Sequence, residues 1–187
     1  MSLRKTVCRS LLRVMGWSAQ RHLDLPRKCV ICLAPHTSNW DFIYGLLCYY
    51  AFYNHRPRFL MKKEWFFFPM GYLFRALGGI PTDRSHHSSL TDQIAESMDR
   101  NEFFRICITP EGTRSPVREW KKGFYYIARK ANVPIVLAYL DYEKKTCGLV
   151  KTMETSEDMR SDLSKVRAFY SNVAARYPEK FLLPLNM

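Results

Sequence analysis

Short apolar runs at residues 29–34, 58–62, 104–109 and 133–142 alternate with longer segments of helical periodicity. No other pattern limits the fold as much. A strand, a covering helix and another strand repeat in an α/β domain, because a sheet apolar on both faces must be shielded from water. The length of 187 residues, 47% of them hydrophobic, suits one such domain with a sizeable core. Between the strands, the pattern predicts helices over 40–53, 85–101 and 123–132, and a tail helix over 156–177. The stretch 64–77 is unusually aromatic, and Pro69 and Gly71 divide it into two short helical pieces. It is read as lining a core, an acyl-chain pocket or a membrane-facing surface. Gly78 to Arg84 reads as a turn followed by an extended piece, and 146–152 as an edge strand.

The first strand leads into the most informative stretch, Ala34-Pro35-His36-Thr37-Ser38-Asn39-Trp40-Asp41. Pro35 ends the strand because it has no N–H to donate. His36 therefore falls on a strand-to-helix turn, and Asp41 in the first turn of the helix. On one continuous helix, residues five apart face about 140° away from each other. A chain break between them lets the carboxylate fold back onto the imidazole. Asp41 then engages one ring nitrogen and leaves the other as a base for a hydroxyl or for water. Ser38 and Asp41 also fit a capping box, with Ser38 as N-cap, so the same acid has a purely structural reading.

The formal net charge is +12, from 29 basic and 17 acidic residues, which calls for an anionic partner. Residues 1–27 form a basic, amphipathic membrane-contact segment. Leu3, Val7, Leu11 and Val14 recur at helical spacing, with Arg4, Lys5, Arg9 and Arg13 at other positions, a pattern suited to anionic headgroups. Arg9 and Arg13 interrupt any signal-peptide core, and no apolar stretch reaches the roughly 18 residues of a membrane span. Nucleic acid is not the expected partner, because the aromatics cluster in apolar runs and do not interleave with lysines. The six cysteines read as buried and reduced. Cys29-x-x-Cys32 lacks a second ligand pair, so no metal site is expected.

Two further loops are unusually polar. One follows Gly79 and offers Arg84. The other follows the strand at 104–109 and offers Glu111, Gly112, Thr113, Arg114 and Ser115. In α/β folds, loops at strand ends commonly gather into one site. An arginine fork matches phosphate, a glycine lets main-chain N–H groups approach an anion, and hydroxyls add donors. Together they read as a phosphate cradle beside a general base.

His36-x4-Asp41, then Gly79-Ile80-Pro81-Thr82-Asp83-Arg84, then Pro110-Glu111-Gly112-Thr113-Arg114-Ser115, then Val133-Pro134-Ile135-Val136 resembles the glycerolipid (lysophospholipid) acyltransferases in order and separation. Pro35 stands where many members carry asparagine, as in a subset of short bacterial members. The resemblance spans about residues 28–142. It implies a single α/β acyltransferase domain over 28–187, with a mixed central β-sheet flanked by helices. It also implies His36 as the base, Asp41 as its orienting acid, and Arg84 with Glu111 to Ser115 on a glycerol phosphate. Either Lys62 or Lys63 matches the aligned lysine. The implied reaction moves an acyl group from acyl-CoA or an acyl carrier protein to a lysophospholipid, typically making phosphatidic acid. It needs neither a cofactor nor a covalent acyl-enzyme. Peripheral attachment at the cytoplasmic face of a membrane is expected. A lyso-aminolipid acceptor, or hydrolysis of a thioester by the same pair, is the alternative. No Gly-x-Ser-x-Gly elbow supports a serine hydrolase.

Overall fold

The computed structural model describes residues 3–20, 23–82 and 87–184, the side chains of 87–89 excepted. In chain order it has α1 (Leu3–Val14), β1 (Ser18–Ala19), β2 (Lys28–Ala34), α2 (Trp40–Tyr50), β3 (Arg58–Lys62), α3 (Met70–Leu77), β4 (Gly79–Thr82), α4 (His87–Arg100), β5 (Phe104–Ile108), α5 (Gly123–Lys130), β6 (Ile135–Asp141), β7 (Thr146–Met153) and α6 (Met159–Tyr170). Short 3₁₀ turns cover Lys63–Trp65 and Pro178–Lys180.

The strands form one mixed sheet in the order β1-β7-β6-β2-β5-β3-β4. β6, β2, β5, β3 and β4 run parallel, and β7 pairs antiparallel with β6. The expected α/β class and mixed sheet are therefore both present. β7, expected at the edge, has β1 beyond it, pairing only at Ser18 and Ala19. Two residues carry no alternating pattern, so no sequence signal announces that strand.

β2 is apolar on both faces because helices cover both. Val30, Cys32 and Ala34 pack with α4, α5 and α6, including the fully buried Phe124, Tyr125, Leu163 and Tyr170. Cys29, Ile31 and Leu33 pack with α1 and α2. Right-handed crossovers explain the division. The steps β2-α2-β3 and β3-α3-β4 move one way along the sheet and place α2 and α3 on one face. The steps through α4 and α5 move back and use the other. Phe66 and Phe59 both approach Gly79, and Phe42 of α2 meets Phe59 edge-on, so the 66–74 stretch lies beside α2.

α1 completes this α2–α3 layer. Cys8 and Leu12 are buried against α2, and Trp17 stacks on Tyr44 at 4.4 Å between ring centroids. Arg4 donates to the Tyr53 and Asn54 carbonyls, and Arg9 Nε to the Ala51 carbonyl at 2.9 Å. The stripe expected from spacing, Leu3, Val7, Leu11 and Val14, does lie along one side of α1, but that side faces away from the core. Leu3 is 80% and Val14 86% exposed. Among the described residues, no helix is long and apolar enough to cross a membrane.

Helix ends differ modestly from expectation. The tail helix begins at Met159 because Asp158 caps it, its Oδ1 accepting the Ser161 N–H at 2.9 Å. The helix after His36 begins at Trp40 with Asn39, not Ser38, in the N-cap position.

Candidate active site

The carboxyl ends of β2, β3, β4 and β5 share one edge of the sheet. Ile31 is level with Cys107, Cys107 with Phe59, and Phe59 with Gly79. Counting forward, Ala34, Pro110, Lys62 and Thr82 reach about the same height. The His36 turn, the 110–115 loop and Lys62-Lys63 therefore all leave from this edge, where parallel sheets commonly bind ligands. Arg84 lies outside the described residues.

The chain break after Pro35 lets Asp41 return to His36. The imidazole Nδ1 lies 3.3 Å from Asp41 Oδ2. No hydrogen bond joins the two, so Nδ1 is a buried ring nitrogen set against the Asp41 carboxyl group. The His36 side chain is 15% exposed, and that of Asp41 only 1%. Burial of a carboxylate demands donors, and three supply them. Asp41 Oδ2 accepts the main-chain N–H groups of Thr37 and Ser38, both at 2.8 Å, and Oδ1 accepts the Tyr142 hydroxyl at 2.5 Å. The Ser38 hydroxyl accepts the Trp40 N–H at 3.2 Å. Asp41 thus reaches back to the Ser38 N–H, as in a capping box, and faces His36 as well.

Tyr142 carries no signal in the sequence, since 101 residues separate it from Asp41. Burial, then the hydrogen bond to Asp41 and that acid's charge, hold its phenol well above the usual range. It remains an O–H donor. Arg176 lies over the rings of Trp40 and Tyr142, and the Tyr177 N–H donates to Thr37 Oγ1 at 3.3 Å. The chain after α6 therefore closes over the His36 turn.

Glu111 differs from its expected surroundings. Its residue is 2% exposed, and Oε1 accepts the main-chain N–H of His36 at 2.7 Å. Burial pushes its carboxyl up to about 8; the His36 N–H opposes this and the Asp41 charge adds to it. The residues after it turn outward. Gly112 adopts φ +67°, and Thr113, Arg114 and Ser115 are exposed at the sheet edge. A Cβ on Gly112 would come within 3.0 Å of Lys121 Cδ, so the Lys121 side chain lies over this loop. Lys121 is a second residue the sequence pattern missed; its N–H donates to the Pro110 carbonyl at 2.7 Å. Lys62, the last residue of β3, and Lys63 after it are exposed.

The thiols toward the carboxyl ends of β2 and β5 are poor nucleophiles: burial pushes Cys107 up to about 12 and raises Cys32 as well. Among the described residues, no group of three His, Cys, Asp or Glu side chains is placed to hold a metal ion. An apolar cavity of about 70 Å³ lies between α2 and the sheet, lined by Leu33, Phe42, Gly45, Phe59 and Leu149, with Asp41 also in its wall.

No curated protein matches the chain. Its fold matches the crystal structure of the 1-acyl-sn-glycerophosphate (LPA) acyltransferase PlsC from Thermotoga maritima, with a TM-score of 0.62 and 16% sequence identity over 91% of this chain and 80% of that one. The sequence model of the acyltransferase family matches residues 19–140, which hold every described element of the site before Tyr142. This chain therefore belongs to the acyltransferase family, and it is an acyltransferase enzyme.

Proposed function

We propose that the enzyme moves a fatty acyl group from an acyl thioester, on coenzyme A or an acyl carrier protein, to the hydroxyl of a lysophospholipid. The acceptor we assign is 1-acylglycerol-3-phosphate, which gives phosphatidic acid. The observation that carries this reading is the His36–Asp41 pair, 3.3 Å apart, on the same sheet edge as the glycine-containing 110–115 loop.

With Nδ1 turned to Asp41, His36 Nε2 takes the proton of the acceptor hydroxyl, and the oxygen attacks the thioester carbonyl. The tetrahedral species collapses by breaking the C–S bond. The imidazolium returns its proton to the thiolate, Asp41 having balanced its charge meanwhile. The raised thiols of Cys32 and Cys107 support direct transfer over a covalent acyl-cysteine. Main-chain N–H groups around Gly112, the hydroxyls of Thr113 and Ser115, and the cations of Arg84, Arg114, Lys121 and Lys62 or Lys63 bind the acceptor phosphate. The cavity under α2 receives the start of an acyl chain. No cofactor is required.

Peripheral attachment to the cytoplasmic face of an anionic membrane completes the reading. It is supported by the solvent-facing stripe of α1 and by the helix's lack of acidic residues.

The test offers purified protein acyl-CoA or acyl-carrier-protein donors with a panel of phosphate-bearing and phosphate-free lyso-acceptors, and identifies products by mass spectrometry. Phosphatidic acid formed from lysophosphatidate is expected. Equal free fatty acid release with and without acceptor would replace transfer by hydrolysis.

A further inference from the structure

Eleven of the fifteen large apolar side chains that are exposed among the described residues lie on α1, α2 or the stretch 65–73. These elements form a single layer on one sheet face. The stripe of α1 is one part, and Trp40 and Ile43 of α2 lie in the same layer. The remaining part is Trp65, Phe67, Phe68, Tyr72 and Leu73. Phe68 is 81% and Tyr72 73% exposed.

This last group is held outward by a built framework. Phe66 and Phe74, from the same stretch, turn inward, with ring centroids 6.2 Å apart, and the Phe66 ring end approaches Gly79. A Cβ on Gly71 would lie 2.5 Å from the Phe66 carbonyl oxygen, so the start of α3 is packed directly on the preceding main chain. Phe68 and Tyr72 meet edge-on at 6.2 Å. The exposed rings thus stand on a half-buried base and form a wedge.

The surrounding charge selects the occupant. Lys62, Lys63 and Arg75 are exposed around the wedge, and Glu64 is the single acidic residue between positions 55 and 82. A second copy of this chain, docked about a twofold axis, would set these cations against themselves. An anionic bilayer takes both the rim and the rings, since Trp, Tyr and basic residues favour the headgroup level and Phe the acyl boundary.

We propose that the Trp65–Leu73 wedge is a second membrane anchor, inserted into an anionic leaflet together with the α1 stripe. It leaves the sheet immediately beyond Lys62, at the edge that carries His36, so insertion brings the active-site mouth to headgroup depth. A lysophospholipid then enters sideways from the leaflet. This rests on the membrane attachment proposed above and adds where and how deeply the enzyme sits.

The test measures co-sedimentation of the purified protein with phosphatidylcholine vesicles, with and without phosphatidylglycerol. It compares wild type, a Phe67→Ser/Phe68→Ser variant and a Val7→Ser/Leu11→Ser variant. Each double variant should bind anionic vesicles roughly tenfold more weakly or worse, because each removes two inserted apolar side chains. Activity on a water-soluble short-chain acceptor should stay unchanged. Brominated acyl chains should quench the wild-type fluorescence, and Trp65→Phe should remove part of that quenching. This last variant keeps an aromatic ring against Phe74, so it tests depth while conserving that contact. If wild type ignores anionic vesicles, the membrane reading itself fails, and the anchor with it. If only the α1 variant loses binding and Trp65 is not quenched, the second anchor alone is overturned. Loss of a dimer in the Phe67/Phe68 variant would also overturn it, making the wedge a contact between copies.

Discussion

The Glu111 carboxyl group accepts the main-chain N–H of His36 at 2.7 Å, tying the loop after β5 to the turn after β2. The loop proposed to hold the acceptor phosphate and the proposed general base are thus parts of one braced unit. The inner residue of that loop is fixed to the backbone of His36, and its outer residues face solvent.

Glu111 makes folding sensitive to pH. Its carboxyl is raised from an ordinary 4.5 to about 8 by burial, so between these values the folded protein holds a proton that the unfolded chain has released. Stability from this group is complete below about 4.5, falls as pH rises, and is gone above about 8, with a limiting slope of about 1.4 kcal/mol per pH unit. Glu111→Gln keeps an acceptor for the His36 N–H but cannot titrate, so its thermal unfolding should depend less on pH across this window. Parallel profiles for the two proteins would remove the basis for this assignment. Glu111→Ala leaves a buried N–H without its partner, a loss of about 1–3 kcal/mol, and should lower kcat as well.

His36→Ala should reduce kcat by roughly 10²- to 10⁴-fold, the usual worth of a positioned base, while circular dichroism and the melting temperature stay close to wild type. Steady-state kinetics on lysophosphatidate reads the first, and a thermal melt the second. Near-normal turnover would mean that the acceptor hydroxyl loses its proton elsewhere.

Tyr142→Phe removes the hydroxyl donor from Asp41 Oδ1 and leaves a buried carboxylate oxygen unsatisfied, at a cost of about 1–3 kcal/mol. The two main-chain donors to Oδ2 remain. Asp41 should hold His36 less firmly, so kcat falls with KM nearly unchanged, and the acidic limb of the pH–rate profile moves. A change confined to KM would place Tyr142 against substrate instead.

Gly112→Ala combines two penalties, a left-handed φ of +67° and a Cβ that would press on Lys121. The backbone term alone is about 1–2 kcal/mol. Lys121→Ala carries no such strain. Both variants should raise KM for a phosphate-bearing acceptor several-fold and leave a phosphate-free acceptor little affected. Arg84→Ala should do the same. Equal losses on both acceptors would detach these residues from phosphate recognition.

Gly45→Ala should be tolerated, since the new Cβ meets Leu33 Cδ2 at an ordinary 3.5 Å and a helix gains about 0.5–1 kcal/mol from losing glycine. Gly45→Leu should instead fill the cavity beneath α2 and shift acyl preference toward shorter chains, read by mass spectrometry of products from mixed acyl-CoA. An unchanged chain profile would put the acyl group elsewhere.

Much of the site was legible because its parts are local. Pro35 ends β2 and the Asp41 carboxylate returns over five residues; both are short-range consequences of covalent geometry. The identity of the partners was not legible. Tyr142 and Lys121 reach the site only because β6 lies beside β2 and α5 follows the 110–115 loop, and neither neighbour leaves a mark in its own local sequence. Glu111 shows the same limit from the other direction, since its residue type announced a polar loop but not which way the carboxylate points.

The amino-acid order alone determined the alternation of strand and helix, the α/β class, and the two loops that carry imidazole and glycine, because periodicity and backbone stereochemistry act within a few residues. Tertiary structure decided which of two apolar faces α1 turns inward. Spacing cannot distinguish a stripe of Leu3, Val7, Leu11 and Val14 bound for the core from one left in solvent, whereas packing gave the core to Cys8 and Leu12. It also decided that Glu111 is buried behind His36, because only the parallel pairing of β2 with β5 brings the two loops to one height.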